Sequence, residues 1–172
     1  MNEVLKCLEE RRSVRKYKAE QIKESELQQI LRAGTYAPTG MGMQSPIMVV
    51  VQDPETIAQL SKMNAAVMGT TSDPFYGAPT MVIVLADRSR GTCVEDGSLV
   101  MGNLMNAAFS IGVDSCWIHR AREVFETEEG RALLKKWGIE GDYVGVGHCI
   151  LGYRASELPA PKARKEQYIY RV

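Results

Sequence analysis

The sequence carries no net charge: its 21 Lys and Arg are matched by 21 Asp and Glu. No global field therefore draws it to nucleic acid or to an anionic membrane, and any anion it binds must be held by a local cluster. Long apolar runs are also missing. Stretches such as Met81 to Ala86 and Ile47 to Val51 fall far short of the roughly 20 residues that a membrane-crossing helix needs. The opening MNEVLKCLEERR is charged and amphipathic, without the apolar core of an export signal, so a cytoplasmic location is expected. Four cysteines, Cys7, Cys93, Cys116 and Cys149, include no C-x-x-C pair and are expected as free thiols in a reducing compartment. Internal repeats and low-complexity segments are absent.

What is present is a globular composition, 45% hydrophobic and 24% charged over 172 residues, which is enough for one domain and too little for two ordinary ones. Val4, Leu5 and Leu8 give a first helix an apolar stripe that ends at Arg11-Arg12-Ser13. Ser25-Glu26-Leu27-Gln28 reads as a capping box opening a second helix, with a stop near Gly34. After the loop APTGMGMQSP, Ile47 to Val51 reads as a fully buried strand. Asp53 as N-cap and Pro54 at the first helical position start a helix to about Asn64. The breaker-rich segment GTTSDPFYGAP then precedes a strand from Thr80 to Ala86. Glu95 to Ile111 is apolar nearly all round, the pattern of a helix buried in a core or against another subunit. Asp114 to His119 reads as a strand, Glu128 to Trp137 as a helix and Tyr143 to Gly152 as a last strand. The order predicts an α+β fold with a central mixed sheet flanked by helices.

One segment stands out chemically. Residues 11 to 18, Arg-Arg-Ser-Val-Arg-Lys-Tyr-Lys, place five cations directly after a helix. A solvated charged loop would look the same, but Arg offers forked donors that match phosphate oxygens and Ser adds a hydroxyl. A smaller cluster, Lys162-Ala163-Arg164-Lys165, follows LPAP near the end of the chain. In an extended stretch Lys162 and Arg164 point the same way and can reach one anion.

The sequence Arg11-Arg12-Ser13-x-Arg15-x-Tyr17, then Ala37-Pro38-Thr39 with Gln44 ahead of a strand, then Gly112-Val-Asp-Ser-Cys-Trp-Ile118 after a long apolar helix, and finally Lys162-x-Arg164 resembles the nitroreductase family across nearly the whole chain. The resemblance implies an obligate homodimer with two FMN sites at the interface. It places Arg11 and Arg12 near the phosphate and ribityl chain, Ser13 at the ribityl hydroxyls and Arg15 at the flavin pyrimidine edge. Lys162 and Arg164 would close on the phosphate, so the tail from residue 153 serves the FMN site or the dimer. Pro38, Thr39 and Gly40 would come from the partner subunit, Asn64 would bond the ring edge, and the backbone of Trp117, Ile118 and His119 would lie near the reactive face. The implied activity passes hydride from NADH or NADPH through flavin N5 to an electron-poor acceptor such as a nitroaromatic or a quinone. No side chain acts as catalyst; Arg15 gives electrostatic support.

Other signals point elsewhere less well. Gly145-Val-Gly147 with Gly152 lacks the strand–turn–helix setting of a dinucleotide fingerprint, and glycine within a strand is better explained by a bulge or a close approach. Cys116-x-x-His119 and His148-Cys149 suggest a metal, but residues adjacent or three apart on a strand face opposite ways, so no metal and no Cys-His nucleophile is expected. Met41 and Met43 read equally as packing residues or as the lining of an adaptable pocket. A specialised FMN reaction of the same fold, a flavin carrier and an RNA-binding patch are the alternative functions, the last disfavoured by neutral charge and the lack of an aromatic stacking motif.

Overall fold

The strands in chain order are β1 (Pro46–Val51), β2 (Thr80–Asp87), β3 (Asp114–Ile118) and β4 (Tyr143–Gly152). The helices are α1 (Glu3–Glu10), α2 (Glu24–Thr35), α3 (Pro54–Met68), α4 (Cys93–Ser110), α5 (Ala121–Glu126) and α6 (Glu128–Lys136). The computed structural model describes residues 2–172. Among these residues the sheet order is β1-β2-β4-β3, with every neighbouring pair antiparallel. The mixed character expected of the sheet is confined to one isolated parallel bridge, Ser13 to Ser115.

Alternation along the strands splits the core into two layers. Met81, Ile83, Leu85, Cys116 and Ile150 pack toward α3, α5 and α6, while Val82, Val84, Val146, Cys149 and Leu151 pack toward α2 and α4. Successive side chains on a strand point to opposite faces, so a run that is apolar throughout, such as TMVIVLA in β2, must lie between two helical layers. Residues Thr80 to Ala86 are all buried. The run expected to be fully buried, Ile47 to Val51, instead forms the sheet edge and is mostly half-exposed. A short apolar run has no periodicity that separates an edge strand from an inner one.

Other differences are local. The cap of α2 is Lys23, two residues before the expected Ser25, with the Lys23 N–H donating to Glu26 Oε2 at 3.0 Å. Asp53 caps α3 as expected, its carboxylate accepting from the Thr56 N–H at 2.8 Å, but the helix runs past Asn64 to Met68 and stops at Gly69 in the left-handed conformation. Helix α5 has no counterpart in the sequence reading. The apolar side chains of α1, Val4, Leu5 and Leu8, remain exposed.

The strand glycines serve close packing. Val146 is the extra residue of a bulge, since Val84 opposes Gly147 and Leu85 opposes Gly145. A Cβ at Gly145 would land on the backbone of Ala121, and a Cβ at Gly97 of α4 would meet the Val146 side chain. Glycine at these points lets α5 and α4 sit directly on β4.

His148 lies fully buried opposite Ile118, its ring 5.3 Å from Phe75 and 6.1 Å from Phe125. Burial pushes its pKa down to about 4, the backbone of Ile118 and His119 opposing part of the shift. A group neutral in the native core and protonated near pH 6.5 when unfolded contributes stability that is complete above about 6.5 and lost as pH falls toward 4. In urea titrations, lowering the pH from about 7.5 to about 4.5 should therefore remove about 2–3 kcal/mol through this residue. His148→Leu should flatten that part of the profile; an unchanged slope in the variant would assign the acid sensitivity to other groups.

Candidate functional site

The segment after α1 runs along the open edge of β3. The Val14 N–H donates to the Ser115 carbonyl at 3.0 Å, Ser13 forms its bridge to Ser115, and the Lys18 N–H donates to the Tyr153 carbonyl at 2.8 Å. Val14 is the buried anchor, and the Tyr17 hydroxyl folds back onto its carbonyl at 2.8 Å. An apolar residue thus inserts within the cationic segment, leaving Arg15 and Lys16 exposed.

Buried polar groups in proteins are nearly always hydrogen-bonded, so the exceptions carry information. Among the described residues, the buried side-chain atoms without a partner are Arg11 Nη1, Arg12 Nε, Ser115 Oγ, Asn64 Oδ1 and both nitrogens of His148. The first four belong to the N-terminal segment or to groups at β3. Ser115 lies beside Ser13, and Asn64 Nδ2 donates to the His119 carbonyl just beyond the end of β3 at 2.8 Å. Two unpaired cationic donors and a hydroxyl at the N-terminal segment and β3, with an amide oxygen on α3 beside the residue that follows the strand, are the polar groups that suit a ligand with an anionic end and a ring N–H donor. FMN has both, and these residues fit it.

Each expected site residue can be placed. Arg11 and Ser13 are half-buried and come together with Ser115 at the strand edge. Arg12 is largely committed within the chain, since its Nη1 donates to the carbonyls of Glu9 at 2.6 Å and Arg11 at 2.8 Å at the end of α1, where a cation favours the helix dipole. Trp117 is half-buried, Ile118 buried and His119 exposed. Arg120, next along, takes a left-handed conformation with φ 75°, an unfavoured state for a side-chain-bearing residue that the Asn64 bond to His119 helps to hold.

Two groups are not brought to this edge by one chain. Pro38, Thr39 and Gly40 lie at the start of α4, where the Gly40 N–H donates to Asp96. Arg11 follows α1, which packs near the other end of α4 through Cys7 Sγ and the Asn106 carbonyl, 3.2 Å apart. Ten residues of helix between Asp96 and Asn106 separate these points by about 15 Å. Lys162 and Arg164 stand on an exposed tail whose last backbone bond to the body is the Ala155 N–H to the Lys16 carbonyl, 2.9 Å. The sequence assigns Asp96 and Ser115 no role; Asp96 is marked only as an acid ahead of Gly97 in an apolar helix, and Ser115 only as one member of the 112–118 motif.

The cysteine chemistry is quiet. Cys116 and Cys149 belong to opposite faces of the sheet, and all four cysteines are free. Burial pushes the Cys149 thiol up to about 12, with Arg11 opposing part of the shift. It stays protonated at neutral pH, unlike a nucleophilic or metal-binding thiolate. No helix of the described residues is long and apolar enough to cross a membrane.

Comparison with known proteins gives the family. The model of the nitroreductase family matches residues 8–74. A nitroreductase from Bacteroides fragilis, whose crystal structure has FMN bound, is 31% identical, covers all of both chains and superposes with a TM-score of 0.93. A protein of Archaeoglobus fulgidus carrying the name NADH dehydrogenase/NAD(P)H nitroreductase is 29% identical over 173 residues, covering 98% of this chain and 91% of its own. The FMN reductase [NAD(P)H] of Bacillus subtilis is 36% identical over 91 residues, 52% of this chain and 34% of that protein. The fold is that of an α+β protein with helices on both faces of an antiparallel sheet. The chain belongs to the nitroreductase family.

The orientation of the Asn64 amide can be tested directly. Asn64→Ala should cost about 1 kcal/mol in urea unfolding through the lost bond to His119. Asn64→Asp should cost more, because a carboxylate oxygen then faces the His119 carbonyl; equal costs would show that the amide is turned the other way.

Proposed function

We propose that the chain is an FMN-dependent, NAD(P)H-linked oxidoreductase that reduces a small electron-poor acceptor such as a nitroaromatic or a quinone, working as a homodimer of single-domain subunits. The observation that carries the reading is the set of unpaired buried polar atoms on Arg11, Arg12, Ser115 and Asn64. The names of the relatives support the same cofactor and donor.

Bound there, FMN supplies the two-electron redox chemistry. The protein's part is binding and electrostatics. Arg11 and Ser13 take the phosphate and ribityl end, with the free donors of Arg12 beside them. A phosphate monoester carries about −1.5 to −2 charge, so it compensates the unpaired Arg11 donor in a way that water alone does not. Asn64, whose amide nitrogen is already used, offers its oxygen to a ring N–H. Arg15 stands as the cation for the pyrimidine edge, where negative charge develops on reduction. Trp117, Ile118 and His119 border the reactive face.

Dimerisation completes the site in this reading. Pro38, Thr39 and Gly40 sit at one end of α4 and Arg11 near the other, so a second copy must supply the loop to each flavin. The exposed Val4, Leu5 and Leu8 of α1 and Leu99 of α4 give apolar surface for such an interface. The tail from residue 153, with Tyr168, Ile169 and Tyr170 exposed, carries Lys162 and Arg164 toward the same phosphate.

Purified protein should be yellow, should bleach anaerobically with NADH or NADPH, and should sediment as a dimer; a colourless chain that takes up no FMN would end the proposal. Arg11→Ala should weaken FMN binding by about ten- to a hundredfold, the loss of one charge-assisted hydrogen bond, with activity regained in excess FMN. Arg15→Ala should instead slow reduction by NAD(P)H at saturating FMN, and Arg15→Lys should restore part of it. Equal affinity losses with an unchanged reduction rate would make Arg15 another phosphate ligand.

A further inference from the structure

The unusual acid of this molecule is Asp96. It stands in the first turn of α4, a helix otherwise apolar along its buried face, and is 3% exposed. A buried carboxylate needs a cation or several donors. Among the described residues no ion pair involves Asp96; three donors serve it instead. The Gly40 N–H lies 2.8 Å from Oδ1, and the Ser45 and Thr92 hydroxyls lie 3.2 and 3.1 Å from Oδ2. The start of α4 adds its favourable dipole.

Gly40 and Ser45 bracket the segment Met41–Gln44, so both ends of one loop are tied to a single carboxylate. The loop does not hold itself by conformational preference. Met41 and Gln44 have φ of 53° and 51°, a region that costs side-chain-bearing residues energy and persists only where surroundings enforce it. Its internal help is three bonds: the Gly42 and Met43 N–H groups donate to the carbonyls of Thr39 and Gly40 at 3.0 and 3.1 Å, and the Gln44 N–H donates to Thr39 Oγ1 at 3.0 Å. None of them ties the loop to the body, which the Asp96 bonds do. Gly40 is needed for the approach, because a Cβ there would collide with the Thr92 side chain. Outside the clamp the loop faces solvent, with Met41 91% exposed.

The geometry points to Asp96 as a positioning residue: it fixes residues 38–44 in the shape that the second copy's FMN site receives. This rests on the proposed function and adds a residue to it. The Gly40 N–H, spent on Asp96, is no donor to the flavin, so Gly40 acts through loop shape, and Pro38 and Thr39 make the approach. The exposed Met41 and Met43 travel with the same loop, so the clamp also sets the wall that an acceptor meets.

The test uses the full-length protein and Asp96→Asn, which keeps size and one acceptor oxygen but cannot serve all three donors. In the FMN-free protein, hydrogen exchange of the amides from Gly40 to Gln44 should speed up about tenfold while protection in β2 and β4 stays as in the wild type. FMN affinity should fall about tenfold, and at saturating FMN the KM for a quinone acceptor should rise more than kcat falls. Ser45→Ala and Thr92→Val, each removing one donor, should shift the same readouts in the same direction by less, and they carry the test if Asp96→Asn does not fold. Unchanged loop exchange and unchanged FMN affinity in the folded variants would overturn the assignment. Loosening spread over the whole sheet would overturn it too, by making Asp96 a general packing residue. A wild-type chain that takes up no FMN sinks the proposed function and this use of the loop with it, and the exchange measurement then reads the clamp alone.

Discussion

Helix α4 must lie flat against β4, and much of the molecule follows from that constraint. The contact is possible because Gly97 has no side chain where Val146 bulges out of the strand. With α4 seated, Val100, Met101, Leu104 and Ala108 close one layer of the core. Its first turn then places Asp96 under the 38–44 loop, and its last turns offer the Asn106 carbonyl to α1. The helix therefore works as a spacer, holding two kinds of site residue about three turns apart. In the proposed homodimer, a second subunit brings the two kinds together.

The polar groups of the interior fall into two sets with opposite meaning. Asp96 is fully served by its own chain, as is Asp114, which Arg154 meets at 3.1 Å. Such satisfied groups fix backbone shape. Arg11, Ser115 and the Asn64 oxygen are not served; Ser115 lies where the N-terminal segment pairs with β3, and Asn64 lies on α3 beside His119, past the other end of that strand. Leaving buried polar atoms unpaired costs about 1–3 kcal/mol each. A ligand that pairs these atoms removes that cost in the working state, which gives the proposed flavin site a thermodynamic reason independent of any relative. His148 is the contrasting case, a ring accommodated between Phe75 and Phe125 by staying neutral.

Much of this was legible in the residues. The all-apolar run of β2, the Asp53-Pro54 start of α3, the apolar breadth of α4 and the glycines of β4 each reflect a local rule that holds whatever surrounds them. The cation cluster at Arg11 to Lys18 was legible as chemistry because forked donors suit few partners as well as phosphate. The sequence by itself thus determined the strands, every helix but α5, the family and the kind of ligand. Tertiary structure decided the rest, since these matters depend on neighbours distant in sequence. It put Ile47 to Val51 at an edge, turned Arg12 back onto α1, spent the Gly40 N–H on a carboxylate 56 positions away and committed the Asn64 nitrogen to His119. Hydrophobic periodicity and capping act within a few residues, whereas a hydrogen-bond partner across the fold leaves no mark on the spacing of either member.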